Sequence, residues 1–254
     1  MNRTLDRIRP GLFFVAMLAA WQIACDVFAV PTFLLPTPVE ILRKIAEVSD
    51  RMVLHSLATL REILIGFGIA CVGGVALAAI TAHSRLFSRT VFPILVMSQT
   101  VPTIAIAPLL VIWFGPGDVS RLIVVFMIAF FPMVVNTAVG LSTAEPEMLD
   151  LVRTLRASRW QVFAKIRFPN ALPYIFTGLK LNATMSVIGA IVGEFVASER
   201  GLGALIITGG VTLETPSIFA SLILISALGL VLYGLVVAVE HLVAPWAHRE
   251  DAAT

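Results

Sequence analysis

The sequence predicts an all-α integral membrane protein with about six transmembrane helices. Apolar residues make up 58% of the 254 positions and charged residues 13%, against roughly 45–50% and about 25% in soluble globular chains. The apolar residues gather into six runs, each near the ~20 residues that cross a hydrocarbon core as a helix. One long polar and basic stretch, residues 145–169, interrupts them.

Arg3, Arg7 and Arg9 precede an apolar run from Gly11 to about Val30. A cleaved signal peptide also starts with basic residues. This run is long enough to span, however, and Gln22 stands where a lipoprotein cleavage box ending at Cys25 wants an apolar residue, so an uncleaved first span is expected. Pro31, Pro36 and Pro38 then break the helix. From Val39 to about Leu60, Val39, Leu42, Ile45 and Ala46 recur at helical spacing with Arg43, Lys44 and Glu47 between them. That pattern predicts a helix lying along the membrane surface.

The second span, about Glu62–Ala82, is rich in small residues such as Gly66, Gly73 and Gly74, which let helices in lipid approach closely. The third, about Val91–Phe114, holds Gln99, Thr100, Pro102, Thr103 and Pro108 near its middle. Gly115-Pro116-Gly117-Asp118 turns the chain into the fourth span, about Val119–Leu141, with Pro132 and Asn136 inside it. After the polar stretch come a fifth span, about Tyr174–Ala197, a loop with Glu199, Arg200, Gly201 and Gly203, and a sixth span, about Pro216–Leu242. The expected domains are residues 1–61, the first span plus the surface helix; 62–245, the core with its loop 145–169; and a tail, 246–254.

Cations set the orientation. With the N-terminus in the cytoplasm, Arg3, Arg7, Arg9, Arg85, Arg89, Arg153, Arg156, Arg159, Lys165, Arg167 and Arg249 fall inside. Arg43, Lys44, Arg51, Arg61, Arg121 and Arg200 fall outside. The inside excess predicts both termini and the polar stretch in the cytoplasm.

No catalytic set is visible, and an enzyme is not expected. None of Lys44, Lys165 and Lys180 ends a phosphate-cradling loop, and neither a nucleophile elbow nor a His-Glu metal motif occurs. Cys25 and Cys71 lie in apolar runs, and His55, His83, His241 and His248 are scattered, so neither a disulfide nor a metal site is expected. A transporter or channel working without an ATPase is the alternative reading. It wants repeat symmetry and ion-coupling carboxylates, and Glu194 is its candidate.

The polar stretch reads as helical. Pro146 suits a first helical position, and Met148, Leu151, Val152 and Leu155 form one apolar stripe. Val162, Phe163 and Ile166 continue an apolar face until Pro169, where a stop is expected. A helix docked into a partner's groove and a helix folded back on its own bundle fit this pattern equally.

The stretch resembles the cytoplasmic coupling loop of binding-protein-dependent ABC importer permeases. Their signature is Glu-Ala-Ala, a Gly after three further residues, nine residues, then Ile-x-Leu-Pro. Here Asp150-Leu151-Val152, Arg153-Thr154-Leu155, Arg156 and Ile166-Arg167-Phe168-Pro169 keep the spacing. Arg156 stands at the Gly, so either a differently built bend or a more helical loop is expected. Leu35-Pro36-Thr37-Pro38, Gln99-Thr100-Val101-Pro102, Ala107-Pro108-Leu109, Trp113-Phe114-Gly115, Phe131-Pro132, Asn136-Thr137, the run Ala157–Phe163 and Gly201-Leu202-Gly203 are similar, in order, to the subfamily importing nitrate, sulfonates, taurine and thiamine-precursor pyrimidines.

The resemblance implies an importer permease fold in the bacterial cytoplasmic membrane. It implies a homodimeric path, two ABC ATPase subunits and a soluble substrate-binding protein, with no nucleic acid. ATP and magnesium would be bound by the ATPase and no cofactor by this chain. Asp150, Leu151, Val152, Arg153, Thr154, Leu155, Arg156, Ala157, Ser158 and Arg159 become the expected ATPase-coupling residues.

The expected translocation path holds Gln99, Pro102, Thr103, Pro108, Asn136 and Glu194. Gln99, Pro102, Thr103 and Pro108 also fit a kinked packing helix. Asn136 fits either the path or a bond to a neighbouring helix. Glu194 fits an outer vestibule or a pair with Lys180 or Arg200. Gly189 and Gly193 have the spacing of a close helix contact.

Overall fold

The computed structural model describes residues 3–144 and 146–246, and their regular structure is helical throughout. In chain order the helices are α1 Arg3–Val27, α2 Pro38–Glu47, α3 Ser49–His83, α4 Arg85–Ser98, α5 Thr103–Phe114 and α6 Asp118–Ser142. They continue with α7 Pro146–Thr154, α8 Arg159–Val162, a π-helical turn Phe163–Arg167, α9 Phe168–Ala197, α10 Leu202–Thr212 and α11 Thr215–Val243. The expected tail from 247 onward lies outside the described residues.

Among the described residues, four segments are long and apolar enough to cross a membrane: Ser49–Thr81, Asp118–Ser142, Trp160–Val196 and Thr215–Val243. The expected third span makes a fifth only as a broken pair, Phe92–Ser98 and Thr103–Phe114, bent by 94°. The apolar part of α1, Gly11–Val27, is shorter than these. Its 17 residues reach about 26 Å against a core of about 30 Å.

Four expectations change. The surface helix ends at Glu47, and Ser49 already begins α3, because Met52, Val53, Leu54 and Leu57 carry the apolar pattern straight into the span. The expected single third span is two helices. Pro102 lacks an N–H and disfavours a helical residue before it. Gln99, Thr100 and Val101 therefore close three-residue turns onto Val96, Met97 and Ser98. The hydroxyls of Ser98 and Thr100 donate to Leu95 O and Met97 O at 2.8 and 2.7 Å, satisfying carbonyls that lipid cannot. Pro169 does not stop the helix; it sits in the first turn of α9. Finally, α10 occupies residues where a Gly-rich loop is expected, starting from Gly201 at φ +113°.

The chain forms two compact units. The first comprises residues up to Ala58 with Arg200–Ser226. Ile41, Met52 and Ala220 form its buried centre, bordered by Trp21, Ile45 and Phe219. Lys44 pairs with Glu214 at 2.8 Å, and the Gly201 N–H donates to His55 Nδ1 at 3.0 Å. The free thiol of Cys25 is buried.

The second unit comprises Thr59–Glu199 with residues from Ala227 onward. Here α3, α6 and α9 approach at glycines. A Cβ on Gly66 would lie 2.2 Å from Val125 Cγ1, and one on Gly189 would lie 2.7 Å from Val125 Cα. Val125 is thus held between α3 and α9 and is fully buried. Gly193 packs the same way on Arg121, so Gly189 and Gly193 do make the close contact their spacing predicts.

Candidate functional site

The site begins where α7 ends. Thr154 Oγ1 donates back to Leu151 O at 2.6 Å and the Leu155 N–H to the same carbonyl at 3.2 Å. Arg156 then takes φ +55°, the left-handed conformation itself. The Ala157 N–H closes onto Val152 O at 3.0 Å, the six-residue bond of a Schellman cap. The bend expected of Gly is therefore built at the same position with Arg. Ala29 and Leu213 end α1 and α10 at φ +46° and +58°, with the equivalent bonds Val30 N–H to Cys25 O at 3.0 Å and Glu214 N–H to Gly209 O at 2.8 Å.

The next helix starts at once. Ser158 Oγ accepts from the Gln161 N–H at 3.2 Å, and Gln161 Oε1 accepts from the Ser158 N–H at 2.8 Å. This reciprocal capping box makes Gln161 a structural residue of the corner, and its signal was the Ser-x-x-Gln spacing. Pro169 has no N–H for Lys165 O. The helix widens there, and the Phe168 N–H reaches Phe163 O instead. The segment from α8 thereby runs into α9 without a loop. Along the junction Trp160 stacks on Phe163 at 5.7 Å, and Phe163 meets Phe168 tilted at 6.2 Å.

The corner presents an apolar surface. Leu151, Leu155 and Trp160 are 61%, 72% and 72% exposed and Met148 47%, so the chain's own bundle does not cover the stripe. Val152, Leu155, Arg156, Gln161, Lys165 and Ile166 line a cleft of about 400 Å³, with apolar side chains beside the polar and basic ones of Gln161, Arg156 and Lys165. Asp150, Arg153 and Arg159 are helical in backbone; their side chains lie outside the described residues.

The expected path residues do not share one environment. Gln99 and Pro102 sit exposed in the α4–α5 break, Thr103 half-buried at the start of α5, and Pro108 exposed within it. Asn136 Nδ2 donates to Pro132 O at 2.8 Å within α6, satisfying a carbonyl rather than bonding a neighbouring helix. Glu194 is 1% exposed and accepts from Thr59 Oγ1 at 2.6 Å. Near it Arg121 joins Glu62 through Nε at 2.9 Å, donates to Ser198 Oγ at 2.7 Å and pairs with Asp118. Arg61 also reaches Asp118, at 3.1 Å. This network carries no signal along the chain, because its members come from three separate spans. Lys180 pairs with Glu240, not with Glu194.

Comparison with known proteins finds the chain similar to transport permeases. The family model described as "Binding-protein-dependent transport system inner membrane component" matches residues 73–245. The chain is 33% identical to the formylaminopyrimidine transport permease protein of Halalkalibacterium halodurans, over 98% of this chain and 100% of that protein. It is 34% identical to the riboflavin transport system permease protein of Chloroflexus aurantiacus, over 91% and 87%. It is 28% identical to the nitrate import permease protein of Synechocystis, over 94% and 90%.

Proposed function

The chain belongs to the family of binding-protein-dependent transport system inner membrane components, and from that membership we propose that its α7–α8 corner is the surface on which an ABC ATPase acts. The chain is a permease subunit of an ABC importer and a multi-pass inner-membrane protein. The uncovered stripe of Leu151, Leu155 and Trp160 carries the docking reading, together with the continuity of the corner into α9. An apolar helix face flanked by charge suits a groove on a partner.

In the full proposal the corner faces the cytoplasm and both termini lie on that side. Two copies of this chain form the path, with Gln99, Pro102, Thr103, Pro108, Asn136 and Glu194 along it. A soluble binding protein delivers the solute from the other side. ATP and magnesium sit on the ATPase, whose closure moves the corners and through them the spans. No bond is made or broken in this chain. The solute is a small organic or inorganic compound of the kind named for the relatives.

The test is co-purification with the ATPase subunit, followed by ATP-dependent uptake of nitrate, taurine, formylaminopyrimidine and riboflavin in proteoliposomes. Leu155→Asp and Arg156→Asp are expected to weaken ATPase binding by at least about tenfold, ~1.4 kcal/mol, while the spans stay folded. Undiminished binding by both variants overturns the docking assignment. Uptake by the chain alone, without ATP, overturns the ATPase-driven reading.

A further inference from the structure

The proposed function gives no role to an ion pair that joins α9 to α11. Lys180 on α9 places Nζ 2.7 Å from Glu240 Oε2 on α11, with the side chains 24% and 4% exposed. Lys180 lies 12 residues beyond Phe168, about 18 Å along the helix at ~1.5 Å per residue. The segment of α9 leading to it continues without a loop from the α8 corner.

Adhesion alone is a poor reason for such a pair. Charges withdrawn from water regain their desolvation cost only in good geometry, and apolar side chains of similar volume join helices as firmly or more so. Ionisable groups within spans are correspondingly rare. What a charge pair adds is register. A shift of register between apolar faces exchanges one set of packing contacts for another, whereas an ammonium and a carboxylate withdrawn from water are left uncompensated when they separate. A second contact has the same sense. A Cβ on Gly229 of α11 would meet Val187 of α9 at 3.3 Å. The order Lys180–Glu240, Val187–Gly229 is that of antiparallel neighbours.

We propose that Lys180 and Glu240 are a positioning pair for coupling: their ion pair fixes the register of α11 on α9, so that a displacement of the α7–α8 corner carried along α9 takes α11 with it. The proposal rests on the permease reading above. It gives Glu240, the one acidic residue of α11, a role in gating without placing it on the solute's path.

The experiment uses the full chain assembled with its ATPase in nanodiscs, with spin labels at the exposed positions Leu181 of α9 and Val239 of α11. In the wild type the label distance is expected to stay single and unchanged between the nucleotide-free and ATP-bound states. Lys180→Glu and Glu240→Lys are each expected to broaden it and make it shift on ATP binding, and the double exchange to restore it. The apolar double variant, Lys180→Met with Glu240→Leu, leaves no buried charge to unfold the bundle. It is expected to match or exceed wild-type thermal stability yet lose the fixed distance.

An unchanged distance in that folded apolar variant overturns the proposal, as does a wild-type distance that moves with ATP. Co-purification of the ATPase with wild type is scored separately. Its failure strikes the coupling reading, whereas its success with an indifferent ion pair strikes this inference alone.

Discussion

At Arg156 the backbone holds φ +55°, a conformation that costs an L-residue with a Cβ roughly 1–2 kcal/mol. Its place in the Schellman cap of α7 offsets that cost through the Ala157–Val152 bond. Arg156→Gly is therefore expected to keep the corner and to raise its stability by about 1 kcal/mol. Arg156→Val, β-branched and left-handed, is expected to lower it by a similar amount or more. Thermal unfolding in detergent measures both, and equal midpoints for Gly and Val would mean that the bend is set elsewhere. The alignment with the importer signature flagged Arg156 as out of place. It did not reveal that Arg takes up the bend, because φ depends on the bonds that Ala157 and Ser158 make.

Among the elements, α2 and α8 each open on a reciprocal cap. In α2, Thr37 Oγ1 accepts from the Glu40 N–H at 3.2 Å, and Glu40 Oε2 accepts from the Thr37 N–H at 2.8 Å. The Thr37 N–H, with the Thr32 and Thr37 side chains and Arg43, holds the Glu40 carboxyl below its ordinary value of 4.5. Glu214, bonded by Lys44 and Ser217, is lowered likewise. A lowered folded-state pKa means that the ionised cap stabilises α2 fully above the unfolded value. That contribution is lost as pH falls through the folded one. Hydrogen-exchange protection at the start of α2 is expected to decline at acid pH in the wild type and to lose this step in Glu40→Gln. A step that persists in Glu40→Gln would assign it to another group. Thr-x-x-Glu and Ser-x-x-Gln were both present in the sequence as capping spacings. The broken α4–α5 element was only half legible: its prolines marked irregular backbone, while the 94° bend depends on three-residue turns and hydroxyl bonds that composition does not encode.

Across the whole molecule, the second unit depends on the absence of side chains at the α3–α6–α9 contacts. Gly189→Ala puts a methyl 2.7 Å from the Val125 Cα, a backbone atom that moves only with its helix. A loss of about 1–3 kcal/mol is expected from such overpacking. Gly68→Ala, with nothing within 4 Å, is expected to be neutral or to stabilise by up to about 1 kcal/mol. Detergent unfolding of the two variants checks the contrast, and equal behaviour would remove Gly189 from the interface.

The sequence by itself determined the class of this protein, because burial in lipid demands long apolar runs and helical backbone wherever they occur. It also marked the polar segment 145–169 as the exception among the apolar runs, with a motif spacing that is kept although Ile166 and Pro169 alone retain the motif's residues. Tertiary structure alone decided which spans touch, since Gly66, Gly189 and Val125 carry no mutual signal along the chain. It alone decided that Lys180 meets Glu240. Glu194 lies on the same helix as Lys180, about 21 Å along it at ~1.5 Å per residue, and which acid on another helix Lys180 reaches is selected by the packing of α11 along α9.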